Sequence, residues 1–215
     1  MLLSLHAPDG TLRWQYRAGE ELGSKPVVAN GLVYVASFND TLFAIDAQTG
    51  AWKWQYRRDV TAEFTIRGVG QPAVDFDKLF LGFSDGYAVC LDAGDGTVKW
   101  QKQLSSAAQF PDADASPQLD GQGHVLFASF ASGVFSLDEE TGQIVWAKSA
   151  TGVTSLLLDN DLLYVGSQGG LSARDVGTGD ERWKLKLSSD AWSGPLTRAG
   201  PYLLVPTTDA LLFVD

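Results

Sequence analysis

Few residues of this chain have the types and spacing that acid–base, nucleophilic or metal chemistry requires. It contains one cysteine, Cys90, and two histidines, His6 and His124. Neither histidine has the serine, cysteine or aspartate arrangement of a nucleophilic triad, and two separated histidines make a poor zinc site. Cys90 lies in an apolar run, which predicts a small buried hydrophobe. We therefore predict no catalytic residue, no metal and no cofactor, and a protein that is not an enzyme.

Two segments instead carry residue types that suit protein binding. The first insert, residues 57–68, contains Phe64, Ile66 and Arg67, and the second insert, residues 105–114, contains Asp112 and Asp114. Exposed apolar anchors next to charges are typical of binding hot spots. An alternative keeps the charges within the molecule, with Arg67 paired to Asp112 or Asp114 in a surface ion pair worth about 0–1 kcal/mol. The two interpretations are compatible, because an internal pair can also order a binding loop.

The elements that must position these segments follow from an internal repeat. Each copy has a small or apolar residue two positions before an Asp, then a Gly four residues after the Asp and a Trp four residues after the Gly. The full copies are Asp46, Gly50 and Trp54; Asp92, Gly96 and Trp100; Asp138, Gly142 and Trp146; and Asp175, Gly179 and Trp183. A weaker first copy has His6 in the Asp place. Equivalent copies cannot each be an active site, so we predict turn-forming roles for Asp and Gly and packing between repeats for Trp.

Each repeat divides into four short strands. In the second unit, apolar strands flank Asn30-Gly31, a pair that tolerates the positive φ of a tight hairpin turn. Four strands in about 40–45 residues are typical of a propeller blade. The sequence therefore predicts an all-β fold, a β-propeller of four-stranded antiparallel blades, in one domain over residues 1–215. The repeat units run roughly over residues 1–46, 47–92, 93–138, 139–175 and 176–215.

The repeats differ in length, and the extra residues are the candidate functional segments. The steps from Gly to Gly are 40, 46, 46 and 37 residues. The longer steps contain the two inserts, which follow Trp54 and Trp100. Because they leave consecutive blades at equivalent corners, we expect them to be neighbours on one face. One would present two apolar residues and an arginine there, and the other two carboxylates.

The repeated phrase resembles the quinoprotein-like (PQQ-type repeat) propeller family, whose pattern is Ala-x-Asp-x-x-Thr-Gly-x-x-x-Trp. Residues 46–50 (Asp-Ala-Gln-Thr-Gly) and 138–142 (Asp-Glu-Glu-Thr-Gly) fit it closely. The resemblance implies blades that usually close as eight-bladed rings. Since this chain holds about five units, we expect an incomplete arc of such a ring.

A narrower resemblance concerns the inserts. Residues 64–68 (Phe-Thr-Ile-Arg-Gly) and 110–117 (Phe-Pro-Asp-Ala-Asp-Ala-Ser-Pro) are similar to two loops of the BamB family, propeller lipoproteins of bacterial outer-membrane β-barrel assembly. Phe64 replaces the family's leucine and Ala113 its valine. In that family the loops contact the central, BamA-type barrel assembly subunit. The resemblance therefore implies that Phe64, Ile66, Arg67, Asp112 and Asp114 bind this subunit, and that the protein is periplasmic and associated with the outer membrane.

Composition argues against other partners. The formal net charge of −10 disfavours nucleic acid, and no run of about 18 apolar residues could cross a membrane. The first residues lack the basic flank and long apolar segment of a signal peptide. Two alternatives to a scaffold remain: a sensor or ligand-binding propeller of a larger protein, such as a bacterial Ser/Thr kinase, and a fragment of a quinone-dependent dehydrogenase. The first predicts a pocket at the central channel. The second predicts quinone- and calcium-dependent activity, although one cysteine cannot form the cysteine pair of its catalytic members.

Overall fold

The computed structural model describes residues 1–59, 68–187, 194–208 and 210–214. The secondary-structure elements in these ranges are all β-strands. None of the described residues forms a helix long and apolar enough to span a membrane. The chain opens with a two-stranded sheet of β1 (Leu2–Leu5) and β2 (Leu12–Tyr16). Four sheets of four strands follow, and we number them blades 1 to 4.

The blades consist of short strands taken in chain order. Blade 1 contains β3 (Val27–Ala29), β4 (Leu32–Ala36), β5 (Thr41–Asp46) and β6 (Trp52–Arg57). Blade 2 contains β7 (Ala73–Asp75), β8 (Lys78–Gly82), β9 (Tyr87–Asp92) and β10 (Val98–Gln103). Blade 3 contains β11 (Gln118–Leu119), β12 (His124–Ser129), β13 (Gly133–Asp138) and β14 (Ile144–Lys148). Blade 4 contains β15 (Ser155–Asp159), β16 (Leu162–Ser167), β17 (Gly170–Asp175) and β18 (Glu181–Leu185). A last sheet has three strands, β19 (Thr197–Ala199), β20 (Tyr202–Pro206) and β21 (Leu211–Val214).

Each blade is an antiparallel meander in which every strand pairs with the next one along the chain. The predicted turn between β3 and β4 is present, with φ of 53° at Asn30 and 76° at Gly31. The all-β, four-stranded prediction is therefore confirmed. The sheets are offset from the repeat units, because each blade takes three strands from one unit and its fourth strand from the next.

The hydrophobic core lies between successive sheets. Blade 1 packs on blade 2 through buried side chains that include Tyr34, Leu42 and Leu81, and blade 2 packs on blade 3 through Phe80 and Phe127. Leu79 and Leu81 belong to the first of these clusters and Phe80 to the second. Successive side chains of one strand point to opposite faces, so the middle strands of a blade are apolar on both faces. Cys90 contributes to the same core at 0% exposure, as the sequence predicts.

The repeated Trp and Gly residues join adjacent sheets at Trp14, Trp54, Trp100 and Trp146. Trp183 departs from this pattern, because it is 37% exposed and its ring contacts Tyr164 of its own blade. A Cβ atom added to Gly142 of blade 3 would lie 2.6 Å from the ring of Trp100 in blade 2, and the equivalent distance is 2.6 Å for Gly179 and Trp146. The indole Nε1 of Trp100 also donates to the backbone oxygen of Glu139, at 2.8 Å. Only a residue without a side chain allows the ring to lie this close to the turn, which is the packing role predicted for Trp.

The repeated Asp organises the turn on which the Trp packs. Asp138 Oδ1 accepts hydrogen bonds from the backbone N–H groups of Glu140 and Thr141, at 3.1 and 2.8 Å. Asp46 does the same in blade 1, and its hydrogen bonds, the one from the Thr49 N–H first, lower its pKa to about 2. Gly142 follows with a φ of 66°. The repeated Asp residues are thus engaged in structural hydrogen bonds.

Candidate functional site

The two inserts fall in the connections that lead from one blade to the next. The first connection, residues 58–72, joins β6 to β7, and the second connection, residues 104–117, joins β10 to β11. Phe64, Ile66 and Arg67 lie outside the described residues. The described part of the candidate site consists of the second connection and both ends of the first.

Backbone hydrogen bonds hold the second connection between two blades. The N–H of Ala113 donates to the oxygen of Phe83 in blade 2 at 3.0 Å. On the other side, the N–H of Phe130 in blade 3 donates to the oxygen of Asp112 at 2.8 Å, and Ser129 Oγ donates to the oxygen of Pro111 at 3.0 Å. Because these hydrogen bonds come from the turns of two blades, the conformation of residues 111–113 depends on the packing of those blades.

Gly82, the last residue of β8, allows this close approach. A Cβ atom on Gly82 would lie 1.7 Å from the backbone oxygen of Ala113. Ala113 itself has 0% exposure. Any larger residue at position 82 would collide with the backbone of the second connection, so this glycine determines how deeply the connection sits.

The carboxylates of the second connection do not both face solvent, which corrects the sequence expectation. Asp112 has 0% exposure, and Asp114 is partly buried, with its Oδ2 atom covered. The physical reason is the clamp at residues 111–113, which draws the connection into the groove between the blades. The role of Asp112 and Asp114 in protein binding stays a prediction.

Burial changes the ionisation of Asp114. Desolvation, together with the negative charge of Asp112, raises the pKa of Asp114 to about 7. Desolvation also raises the pKa of Asp40 in blade 1, although Ser84 donates hydrogen bonds to both of its carboxylate oxygens. The site therefore concentrates carboxylates where water solvates them poorly, and Asp114 changes charge near neutral pH.

The ends of the two connections meet at Asp114. A Cβ atom on Gly68 would lie 2.3 Å from Asp114 Oδ2, and one on Gly70 would lie 2.7 Å from the backbone oxygen of Asp114. The backbone N–H of Gln71 donates to Ser116 Oγ at 2.9 Å. The prediction that the two inserts are neighbours is confirmed for their described parts.

A cavity of about 610 Å³ opens beside this junction. Its lining comes from the beginnings of the innermost strands and the connections before them, and includes Lys25, Gln71, Asp114, Gln118 and Ser155. We call it the inner cavity. The sequence predicts a central pocket only under the sensor alternative and does not identify its lining, because the polar residues are contributed one or two at a time by successive blades. No local motif brings them together; only the stacking of the blades does.

An ion pair outside the sequence prediction supports the other end of the first connection. Arg58 Nε contacts Asp85 Oδ2 at 2.6 Å, and the guanidinium lies 4.4 Å from the ring centre of Tyr87. Its Nη1 also donates to Gln101 Oε1 at 3.0 Å. The sequence shows only a short basic pair at residues 57–58. The structure assigns Arg58 to joining blade 1 to blade 2.

No group of three or more histidine, cysteine, aspartate or glutamate residues in the described ranges could hold a metal ion. His124 Nδ1 lies 2.7 Å from Asp120 Oδ2. In the same turn, Asp120 Oδ1 accepts hydrogen bonds from the backbone N–H groups of Gln122 and His124. This histidine therefore helps to form the turn before β12.

Comparison with known proteins places the chain in a family. The sequence model of the family described as "Outer membrane protein assembly factor BamB" matches residues 1–185. The protein of that name from Shewanella oneidensis is 28% identical over 162 residues, which cover 73% of this chain and 40% of the relative. The Yersinia pestis protein of the same name is also 28% identical, and 44% of it is covered. The chain thus spans less than half the length of these curated relatives.

Solved structures agree on the fold. The crystal structure of BamB from Moraxella catarrhalis superimposes with a TM-score of 0.85 at 21% identity, covering 99% of this chain and 69% of that one.

Two other kinds of protein also match in sequence, each at 29% identity. They are "Quinoprotein ethanol dehydrogenase" of Pseudomonas aeruginosa and "Serine/threonine-protein kinase AfsK" of Streptomyces coelicolor, of which 25% and 22% are covered. The family match extends across both connections and the three blades they join. Because it covers most of the chain, the chain belongs to the PQQ-type repeat β-propeller family of the outer membrane protein assembly factor BamB.

Proposed function

We propose that this chain is a non-catalytic, protein-binding scaffold in the assembly of outer-membrane β-barrel proteins. The partner is a BamA-type barrel assembly subunit in the periplasm, and the binding surface is formed by the first and second connections. The observation that carries the proposal is the contact between Gly68 and Asp114, because it brings together the two segments that resemble the family's binding loops.

Rigid support for the connections favours a scaffold. The second connection is hydrogen-bonded to blades 2 and 3, and Arg58 ties the first connection to blade 2. A loop that is already ordered loses little conformational entropy on binding, so more of the contact energy remains as affinity. In this proposal Phe64 and Ile66 supply the apolar anchors, and Arg67 and Asp114 supply the charges. Asp112, at 0% exposure, acts from below the surface through its charge on Asp114.

Calorimetry with the purified chain and the periplasmic domains of a barrel assembly subunit tests the proposal. We expect binding by the wild type and by the control Arg13→Glu, which makes the same charge change as Arg67→Glu at an exposed position on β2. The double variant Arg67→Glu, Asp114→Arg should fold, as judged by circular dichroism, and lose binding. Equal binding by the wild type and the double variant would disprove this location of the interface, and absence of binding by the folded wild type would disprove the proposed function.

A ligand-binding propeller domain of a larger protein is the second candidate, and one observation favours it. The inner cavity lies along the innermost strands, where a sensor propeller would hold a small ligand. If the folded wild type ignores the assembly subunit but gains thermal stability from a small molecule, this second candidate replaces the first.

A further inference from the structure

The hairpin turn between β7 and β8 holds an aromatic residue in a backbone conformation that aromatic residues rarely adopt. Phe76 has a φ of 47°, in the left-handed region. The first turn residue of the corresponding hairpins in blade 1, blade 4 and the last sheet has φ values of 53°, 51° and 61°, and it is Asn30, Asn160 and Gly200 respectively. Asparagine and glycine tolerate this conformation, whereas a bulky side chain is strained in it. Phe76 therefore stands where the fold itself favours asparagine or glycine.

The ring of Phe76 gains little from burial, because this residue is 84% exposed. Exposed apolar residues are common on protein surfaces, but one that is also strained lowers stability in a second way. The turn is nevertheless held firmly. Asn30 Nδ2 of blade 1 donates to the backbone oxygen of Phe76 at 2.5 Å, and the N–H of Ala93 donates to the backbone oxygen of Asp77 at 2.7 Å. Residues that their surroundings hold in a strained conformation cluster at functional sites.

Carboxylates flank this turn, and they are the more exposed members of their ion pairs. Lys99 Nζ contacts Asp77 Oδ2 at 2.7 Å, and Lys78 contacts the carboxylate of Glu140 in blade 3. The side chains of Asp77 and Glu140 are 64% and 73% exposed, whereas those of Lys99 and Lys78 are 30% and 13% exposed. The turn therefore presents an aromatic ring together with negative charge, a combination that attracts a cation.

We propose that Phe76, Asp77 and Glu140 form a docking site for an arginine-containing segment of a protein partner. The guanidinium lies over the Phe76 ring, and the two carboxylates supply the counter-charge. Arginine suits the place better than lysine, because its planar, weakly hydrated cation stacks on aromatic rings while it donates hydrogen bonds to carboxylates. Nucleic acid and anionic lipid are repelled by the same carboxylates.

This docking site is separate from the surface assigned to the assembly subunit. Phe76 precedes β8, whereas Gly82, the last residue of β8, lies against the second connection. A five-residue strand spans roughly 16 Å, so the two surfaces lie at opposite ends of blade 2. A scaffold with both surfaces holds a second partner while the connections bind the first. The inference goes beyond the proposed function and does not depend on it.

The first test concerns the strain and needs no ligand. Phe76→Asn places at this turn the residue that blades 1 and 4 have there, and Asn160→Phe makes the reverse exchange in blade 4. We expect the urea midpoint of unfolding to rise in Phe76→Asn and to fall in Asn160→Phe. An equal or lower midpoint for Phe76→Asn would overturn the proposal, because the ring would then be unstrained or would serve the stability of the fold. An unchanged midpoint for Asn160→Phe would also remove the strain on which the inference rests.

The second test is an NMR titration at low salt, with a capped peptide of alternating arginine and glycine as the probe. The matched control is the same peptide with citrulline, which keeps the shape of arginine without its charge. We expect the arginine peptide to shift the ring signals of Phe76 and the backbone amide signals of Asp77 and Lys78, and the citrulline peptide to leave them in place. Phe76→Asn should bind the arginine peptide about tenfold more weakly, whereas Phe76→Tyr, which keeps an aromatic ring, should bind it as wild type does.

Equal binding of the arginine peptide by wild type and Phe76→Asn would overturn the proposal, because general attraction to a protein of net charge −10 would then explain the binding. A response of the turn to both peptides, or to neither, would overturn it as well. Neither test uses the assembly subunit, so failure here leaves the proposed function to its own calorimetric test.

Discussion

Replacing Trp100 by Phe is expected to destabilise the propeller more than the same replacement at Trp54, although both residues occupy the same repeat position. Both indoles are buried, at 9% and 7% exposure, and both lie on a glycine of the next blade. They differ in one hydrogen bond. Trp100 Nε1 donates to the oxygen of Glu139, whereas Trp54 Nε1 has no partner among the described residues.

The reason is a competing donor in blade 1. Ala93 of blade 2 occupies the position, relative to Trp54, that Glu139 of blade 3 occupies relative to Trp100. The carbonyl oxygen of Ala93 accepts a hydrogen bond from Tyr34 Oη of blade 1 at 2.8 Å. Both Trp→Phe changes remove about the same apolar area, so that loss cancels in the comparison. Trp100→Phe also leaves the buried oxygen of Glu139 unsatisfied, which costs about 1–3 kcal/mol. Trp54→Phe removes a donor that is already unsatisfied, so no such cost arises.

Urea unfolding followed by far-ultraviolet circular dichroism measures the difference, since tryptophan fluorescence would change with the substitution itself. We expect the free energy of unfolding of Trp100→Phe to be lower than that of Trp54→Phe by about 1–3 kcal/mol, with equal urea dependence. Equal destabilisation of the two variants, or greater loss at Trp54, would refute the assignment of unequal hydrogen bonding.

Three further predictions concern the site and the core. Gly82→Ala should lower the free energy of unfolding by about 2 kcal/mol or more, because the added Cβ would collide with the Ala113 oxygen. Urea unfolding measures the loss, with Gly177→Ala as the control, since a Cβ at that position meets only an ordinary 3.5 Å contact. Asp114 has a folded pKa of about 7 against an ordinary value of 3.8, so its contribution to stability should decline from pH 4 to pH 7 by at most about 1.4 kcal/mol per pH unit. Chemical denaturation across that range should show the decline in wild type relative to Asp114→Asn, and parallel curves would contradict it. Burial raises the pKa of Cys90 to about 12, so iodoacetamide at pH 8 should modify this thiol only after urea has unfolded the protein. Mass spectrometry detects the modification, and rapid labelling of the native protein would contradict the packing of blades 2 and 3.

The sequence alone was sufficient for the fold and for the roles of the repeated residues. A repeat shows the same local solution several times, so the pattern of Asp, Gly and Trp could be identified without any knowledge of contacts. Asp138 and Gly142 form the turn, and Trp100 packs on it, as their spacing predicts. The position of the two inserts followed from the same regularity, because equivalent corners of adjacent blades are neighbours.

The state of the candidate site depended on the tertiary structure. Composition cannot show that Asp112 is fully buried or that Asp114 is partly covered, because their burial results from hydrogen bonds to the turns of blades 2 and 3 and from the absence of a side chain at Gly82. The inner cavity is equally invisible in the sequence, since its lining is assembled from residues on successive blades. Local hydrogen bonding and strand periodicity are properties of neighbouring residues, and a sequence records them. Burial, the pKa of a carboxyl group and the shape of a cavity depend on atoms far apart in the chain, and only the packed blades bring those atoms together.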